Sequence, residues 1–112
     1  MDYRQITDSY SVSPQIEPGD VSAIKAAGFK SVICNRPDDE QPGQPSHDAV
    51  KAAVEAAGLT FRYIPVISGQ MTMDNVEDQA KVLGEIEGPV LAYCRSGTRC
   101  TNLYAAIQQM KG

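Results

Sequence analysis

Short apolar runs alternate along this chain with stretches of helical periodicity, and glycine or proline marks most of the changes. A run too short for a stable helix, followed by a segment long enough to cross back over it, builds parallel strands with helical connections. Two strand candidates open the chain, around residues 3–6 and 10–13. Pro18 suits the first turn of a helix, whose apolar positions Val21, Ile24 and Ala27 recur at helical spacing. Gly28 stops it. Ser31–Asn35 reads as a buried strand, and the polar stretch Arg36–Pro45 as a loop.

Ser46 is placed to N-cap a second helix with Ala49, Val50, Ala53, Val54 and Ala57 as its apolar stripe, and Gly58 ends it. Phe61–Val66 then reads as a strand, Ser68–Gln70 as a turn, and Thr72 as the cap of a third helix. Glu77, Asp78 and Glu85 are expected on that helix's solvent side. Gly88-Pro89 breaks the helix before the strand Val90–Tyr93. A last helix is expected from about Arg99 to Met110, with Leu103, Ile107 and Met110 facing inward. The order ββαβαβαβα predicts one α/β domain over residues 1–112, a mainly parallel sheet flanked by helices.

Chemistry concentrates at one strand-to-helix junction, Tyr93-Cys94-Arg95-Ser96-Gly97-Thr98-Arg99. Ligands of open α/β sheets bind beyond the carboxyl ends of strands, and Cys94 stands at such an end. Converging backbone N–H groups, the positive end of the next helix and Arg99 all favour a thiolate over a thiol. The same cradle suits a bound oxyanion. Gly97 allows the tight turn that aims the amides inward. Cys94 and Arg99 are the expected catalytic pair; Arg95, Ser96, Gly97, Thr98 and Cys100 complete the expected anion-binding loop. Ser96 and Thr98 can hydrogen-bond the anion or brace the loop.

Three other residues carry open alternatives. Cys34 is either a resolving thiol for Cys94 or a buried core cysteine. Cys100 either exchanges with Cys94 or packs a helix. Arg36 either holds an anionic substrate at the rim or forms a salt bridge that orders the acidic run behind it. His47, the only histidine, is expected on the surface of a first helical turn. With one histidine, three unevenly spaced cysteines and no CxxC pair, neither a metal site nor any other cofactor is implied. The formal net charge of −4 argues against nucleic acid or an anionic membrane as partner. Reduced thiols and no export signal suggest the cytoplasm.

The loop 93–99 resembles the active loop of rhodaneses, sulfurtransferases that carry sulfur as a cysteine persulfide. The rest of the chain, through Ile6-Thr7-Asp8, Val12-Ser13-Pro14-Gln15 and Ala27–Asp38, resembles the dual-specificity phosphatase-like fold. Over essentially its whole length the chain is similar to the phosphatase-like domain of the beta-lactamase-hydrolase-like proteins. Members of that family occur alone or fused to a metal-dependent persulfide dioxygenase. The resemblance implies a three-layer, protein tyrosine phosphatase-like architecture and a cysteine nucleophile.

Two departures from the phosphatase pattern bear on the chemistry. Tyr93 stands where that pattern has histidine, and Arg99 comes one residue early, with Cys100 at the arginine's usual place. The loop Ile67–Thr72, where such phosphatases carry an aspartic acid, has none; Asp74 lies further on. General acid catalysis is typically worth about 10²–10⁴-fold, whereas sulfur transfer expels a leaving group of low pKa. These departures favour a sulfurtransferase, with Cys94 taking sulfur from thiosulfate or a low-molecular-weight persulfide and passing it to a thiol, and with a persulfide dioxygenase as a candidate partner. The alternatives are a phosphatase that cleaves a phosphate ester through a Cys94 thiophosphate, and a thiol redox or anion sensor.

Overall fold

The computed structural model describes residues 2–111. Five strands, β1 (Arg4–Thr7), β2 (Tyr10–Ser13), β3 (Ser31–Cys34), β4 (Thr60–Tyr63) and β5 (Val90–Tyr93), form one sheet in the order β1-β2-β5-β3-β4. β1 pairs antiparallel with β2, and the other pairings are parallel. The helices are α1 (Val21–Ala26), α2 (His47–Ala56), α3 (Met73–Leu83) and α4 (Thr98–Lys111). This is the expected mainly parallel α/β sheet.

Strand alternation sorts the core into two layers. Val32, Cys34, Leu91 and Tyr93 point to one face, where they meet Ile24 of α1 and Val50 and Val54 of α2. Ile33, Val90 and Ala92 point to the other face and pack with Cys94 and Cys100. Leu103 and Ile107 of α4 close that layer against Val76 of α3. β5 lies at the centre of the sheet, between β2 and β3, so its carboxyl end is bordered by loops on both sides.

The predicted caps are in place. The Ser46 hydroxyl accepts from the Ala49 N–H, and Thr72 forms a reciprocal capping box with Asn75. Some boundaries differ from expectation. Pro18–Asp20 is a 3₁₀ turn leading into α1. Regular pairing of β4 stops at Tyr63 rather than Val66, because Pro65 has no N–H to give a ladder. Ile64 and Val66 still donate to the carbonyls of Cys34 and Asn35, so the chain stays beside β3 as it leaves the sheet.

One buried polar chain crosses the α3–α4 layer. Gln79, fully buried, exchanges hydrogen bonds with the side-chain amide of Asn35 and donates to the Tyr10 hydroxyl. Tyr10 in turn donates to the Cys100 carbonyl at the start of α4. Burying amides without partners would cost about 1–3 kcal/mol each; here each is paired, and the chain ties α3 to the first turn of α4.

Candidate active site

Cys94 follows the last residue of β5 and is fully buried. Its N–H donates to the Ser13 carbonyl at the end of β2, and the Gln15 N–H donates to the Arg95 carbonyl, so the neighbouring strand holds both ends of the turn. Gly97 has φ +91°, in the left-handed region, and a Cβ there would lie 3.5 Å from the Ser13 backbone. That conformation brings the Gly97 N–H to 3.0 Å from the Cys94 sulfur. The Cys94 thiol is lowered to about 5, chiefly by a hydrogen bond from the Cys100 side chain; burial opposes this, and the N–H groups of Cys100, Ser96 and Arg99 reinforce it. Burial holds Cys100 well above its usual range, which keeps its thiol protonated and able to donate. This setting favours the thiolate of Cys94 over the thiol near pH 7.

Arg99 lies in the first turn of α4, which begins at Thr98, one residue sooner than expected. The guanidinium donates to the Val66 carbonyl at 2.9 Å and grips both oxygens of Glu40, at 2.7 and 2.9 Å. Such a two-pronged pair fixes the plane of the arginine. Among the described residues its Nε has no protein partner. Glu40, held by Arg99 and then by Arg36, is lowered to about 2 although partial burial works the other way.

Arg36 is buried, with its Nε on Glu40 at 2.8 Å, one terminal nitrogen on Gln15 at 3.0 Å and the other on Gln41 at 3.1 Å. The salt bridge to the acidic run is present, through Glu40, and the same arginine borders a cleft. That cleft, about 290 Å³, is bordered by Arg36, Glu40, Gln41, Ser68, Arg95 and Arg99. Ser96 and Thr98 hydrogen-bond each other at 3.0 Å and so brace the loop.

The remaining candidates separate from this cleft. All three cysteines are free. The Cys34 thiol donates to the Arg36 carbonyl, and burial pushes it up to about 11, which makes it a weak nucleophile near neutrality. Tyr93 points into the α1–α2 layer, on the opposite face from Cys94. His47, expected as a plain surface residue, is paired through Nδ1 with Asp38 at 2.6 Å and stacked on Tyr63 with ring centroids 3.7 Å apart. Glu40 was not singled out in the sequence. Its only signal is its place in an acidic run directly after Arg36.

Comparison with known proteins bears on what the cradle handles. A beta-lactamase hydrolase-like protein of Agrobacterium fabrum (strain C58) is 36% identical over 108 residues, covering 96% of this chain and 25% of that protein. The chain thus spans about a quarter of the length of the curated relatives it matches. The crystal structure of a candidate phosphatase from Neisseria meningitidis Z2491 superimposes with a TM-score of 0.89 at 36% identity, covering 97% of this chain and 78% of that one. A second candidate phosphatase, from Shewanella putrefaciens CN-32, shares the fold with a TM-score of 0.85 at 23% identity, over 98% of this chain and 69% of that one. The architecture is that of the protein tyrosine phosphatase-like folds.

These likenesses overturn the expectation of sulfur transfer from thiosulfate or a persulfide, because family and neighbours alike point to phosphatases. Neither departure from the phosphatase pattern specifies sulfur. Despite the short spacing, Arg99 still lies in the first turn of α4 and lines the cleft, so the spacing does not select sulfur over phosphorus. A missing acid constrains the leaving group and says little about the atom transferred. A family model described as the beta-lactamase hydrolase-like protein, phosphatase-like domain, matches residues 2–111, and the chain belongs to that family.

Proposed function

We propose that residues 1–112 form a cysteine-dependent phosphatase domain in which Cys94 attacks phosphorus and forms a thiophosphate intermediate. The observation that carries this reading is the buried Cys94 sulfur at the end of β5, with the Gly97 N–H at 3.0 Å, a setting that favours the thiolate. A phosphoryl group above that sulfur meets the inward amides of the loop and the N-terminal end of α4. Charge on its equatorial oxygens is then spread over fixed dipoles that need no reorganisation. Arg99, held flat by Glu40, keeps an Nε without a protein partner among the described residues and so has a charged donor for the same anion. Water cleaves the thiophosphate and restores the thiolate.

The substrate on this reading is a phosphorylated compound. Among the described residues no helix is long and apolar enough to cross a membrane. The test is hydrolysis of p-nitrophenyl phosphate by the purified domain, beside a rapid acid quench and intact mass. Turnover that disappears in Cys94→Ser, with a phosphoryl group trapped on the wild-type cysteine, supports the proposal. No turnover and no trapped phosphoryl group would refute it.

A further inference from the structure

The cleft beside Cys94 constrains the leaving group as well as the nucleophile, and the following step rests on the phosphatase reading. Splitting an alkyl phosphate expels an alkoxide unless an acid supplies a proton. Among the described residues, the carboxyl groups around this site are all committed or elsewhere. Glu40 alone lines the cleft, and both its oxygens accept from guanidinium groups, so it has no proton to give. Asp38 accepts from the N–H of His47 and pairs with its ring. Asp74 is exposed in the first turn of α3 and does not border the cleft. The β4–α3 loop contributes Ser68 and no acid. His47 is engaged with Asp38 and Asp48 on the Tyr63 side.

The same cleft is unusually cationic for a chain of net charge −4. Arg36, Arg95 and Arg99 line it with Glu40 as the one acidic lining residue, a charge of +2 on the wall that exceeds the single negative charge of a Cys94 thiolate beside it. Its other lining residues, Gln41 and Ser68, are polar, so no hydrophobic side chain lines the wall to cover the ring of a phosphotyrosine. Small-molecule sites that take an aromatic group line it with hydrophobic side chains. This one is lined by charged and polar side chains instead.

We propose that the substrate is a phosphoanhydride, a compact polyanion whose terminal phosphoryl group is carried on a second phosphate. The Cys94 thiolate attacks the terminal phosphorus; the S–P bond forms and the bridging P–O bond breaks. The bonding pair stays on the bridging oxygen, which leaves as part of a phosphate monoester. That oxygen needs no proton, because a phosphate monoester loses its second proton near pH ~6, against about 10 for a phenol. Arg95, exposed at the rim, pairs with the departing phosphate. Water then attacks the thiophosphate, giving orthophosphate, one released proton and the free thiolate.

The test compares kcat/KM, without added metal, for adenosine diphosphate, p-nitrophenyl phosphate and phenyl phosphate, each against Cys94→Ser. Adenosine diphosphate is expected to exceed phenyl phosphate by about 10²-fold or more, the size of a missing general acid, with p-nitrophenyl phosphate between them. Arg95→Ala is expected to raise KM for the diphosphate by more than it raises KM for p-nitrophenyl phosphate. Cys94-dependent turnover of p-nitrophenyl phosphate with none of adenosine diphosphate overturns the anhydride proposal and leaves the phosphatase standing. Equal rates on the two aryl phosphates, with an alkaline limb reporting a general acid, overturn it as well. If no compound is turned over and no phosphoryl group appears on Cys94, the phosphatase reading itself fails, and the anhydride goes with it.

Discussion

Two loops meet at the carboxyl end of the sheet, and they are built on opposite principles. The loop after β5 is short and uses its backbone: Gly97 turns the chain, the amides point inward, and Ser13 and Gln15 of the neighbouring segment tie it down. The loop after β3 is long and polar and uses side chains: Arg36, Glu40 and Gln41 interlock, and Glu40 reaches across to Arg99. The first loop fixes where charge develops and costs nothing to reorganise. The second sets which charged groups surround that point. Catalytic power should therefore fall steeply when the first is damaged, and selectivity should change when the second is.

The comparison is sharpened most by removing the nucleophile. Cys94→Ser is expected to lower kcat on p-nitrophenyl phosphate by on the order of 10³-fold or more, since a buried hydroxyl is not ionised near neutrality. Measured turnover within tenfold of wild type would mean that the chemistry lies elsewhere. Arg99→Ala removes one charged donor from the developing anion and is expected to cost about 10²–10³-fold in kcat/KM. Arg99→Lys should recover little, because a point charge cannot take both the Val66 carbonyl and the Glu40 carboxylate while facing substrate.

Glu40→Gln tests the second loop. The guanidinium keeps one hydrogen-bonding oxygen but loses the two-pronged charged pair, so Arg99 is less firmly held. A fall of about tenfold in kcat/KM is expected, equivalent to ~1.4 kcal/mol. If Glu40 instead competes with substrate for Arg99, KM for p-nitrophenyl phosphate drops in this variant, and the contrast between a positioning loop and a catalytic loop is broken. Steady-state kinetics that resolve kcat from KM decide between the two outcomes.

The two loops also differ in how far they could be read from residue order. Cys94, Gly97 and the strand-to-helix junction are local features, and spacing along the chain was enough to place them. The same holds for Ser46 and Thr72, whose capping roles depend on residues three positions away. Glu40 and Arg99 are separated by 59 positions, and an acidic run in a polar loop has no periodicity to say where it folds. Gln79 escaped notice for a related reason: a glutamine on an amphipathic helix reads as solvent-facing until Asn35 and Tyr10 are seen to receive it. The preference for sulfur over phosphate failed differently. Ile67–Thr72 holds no acid, but that bears only on the group that departs and does not specify the atom transferred.

Cys100 offers the finest test of the first loop, because it stands where the related pattern carries arginine and supplies a neutral donor in its place. Its thiol makes the largest contribution to the low position of Cys94, ahead of the backbone amides. Cys100→Ala deletes that donor and is expected to raise the Cys94 transition from about 5 toward the free value of about 8.5. The sign follows from linkage: a group whose folded pKa is depressed adds stability that is complete above its unfolded pKa and is lost as pH falls through the folded one. Ionised Cys94 thus stabilises the wild type fully above about pH 8.5, and this contribution fades by about pH 5. In the variant it should fade at higher pH. Iodoacetamide alkylation followed by intact mass reads the shift directly: near pH 6 the variant should react more slowly than wild type, and near pH 9 the two should converge. An unchanged alkylation profile would show that the amides alone hold the thiolate, making Cys100 no more than packing for the first turn of α4.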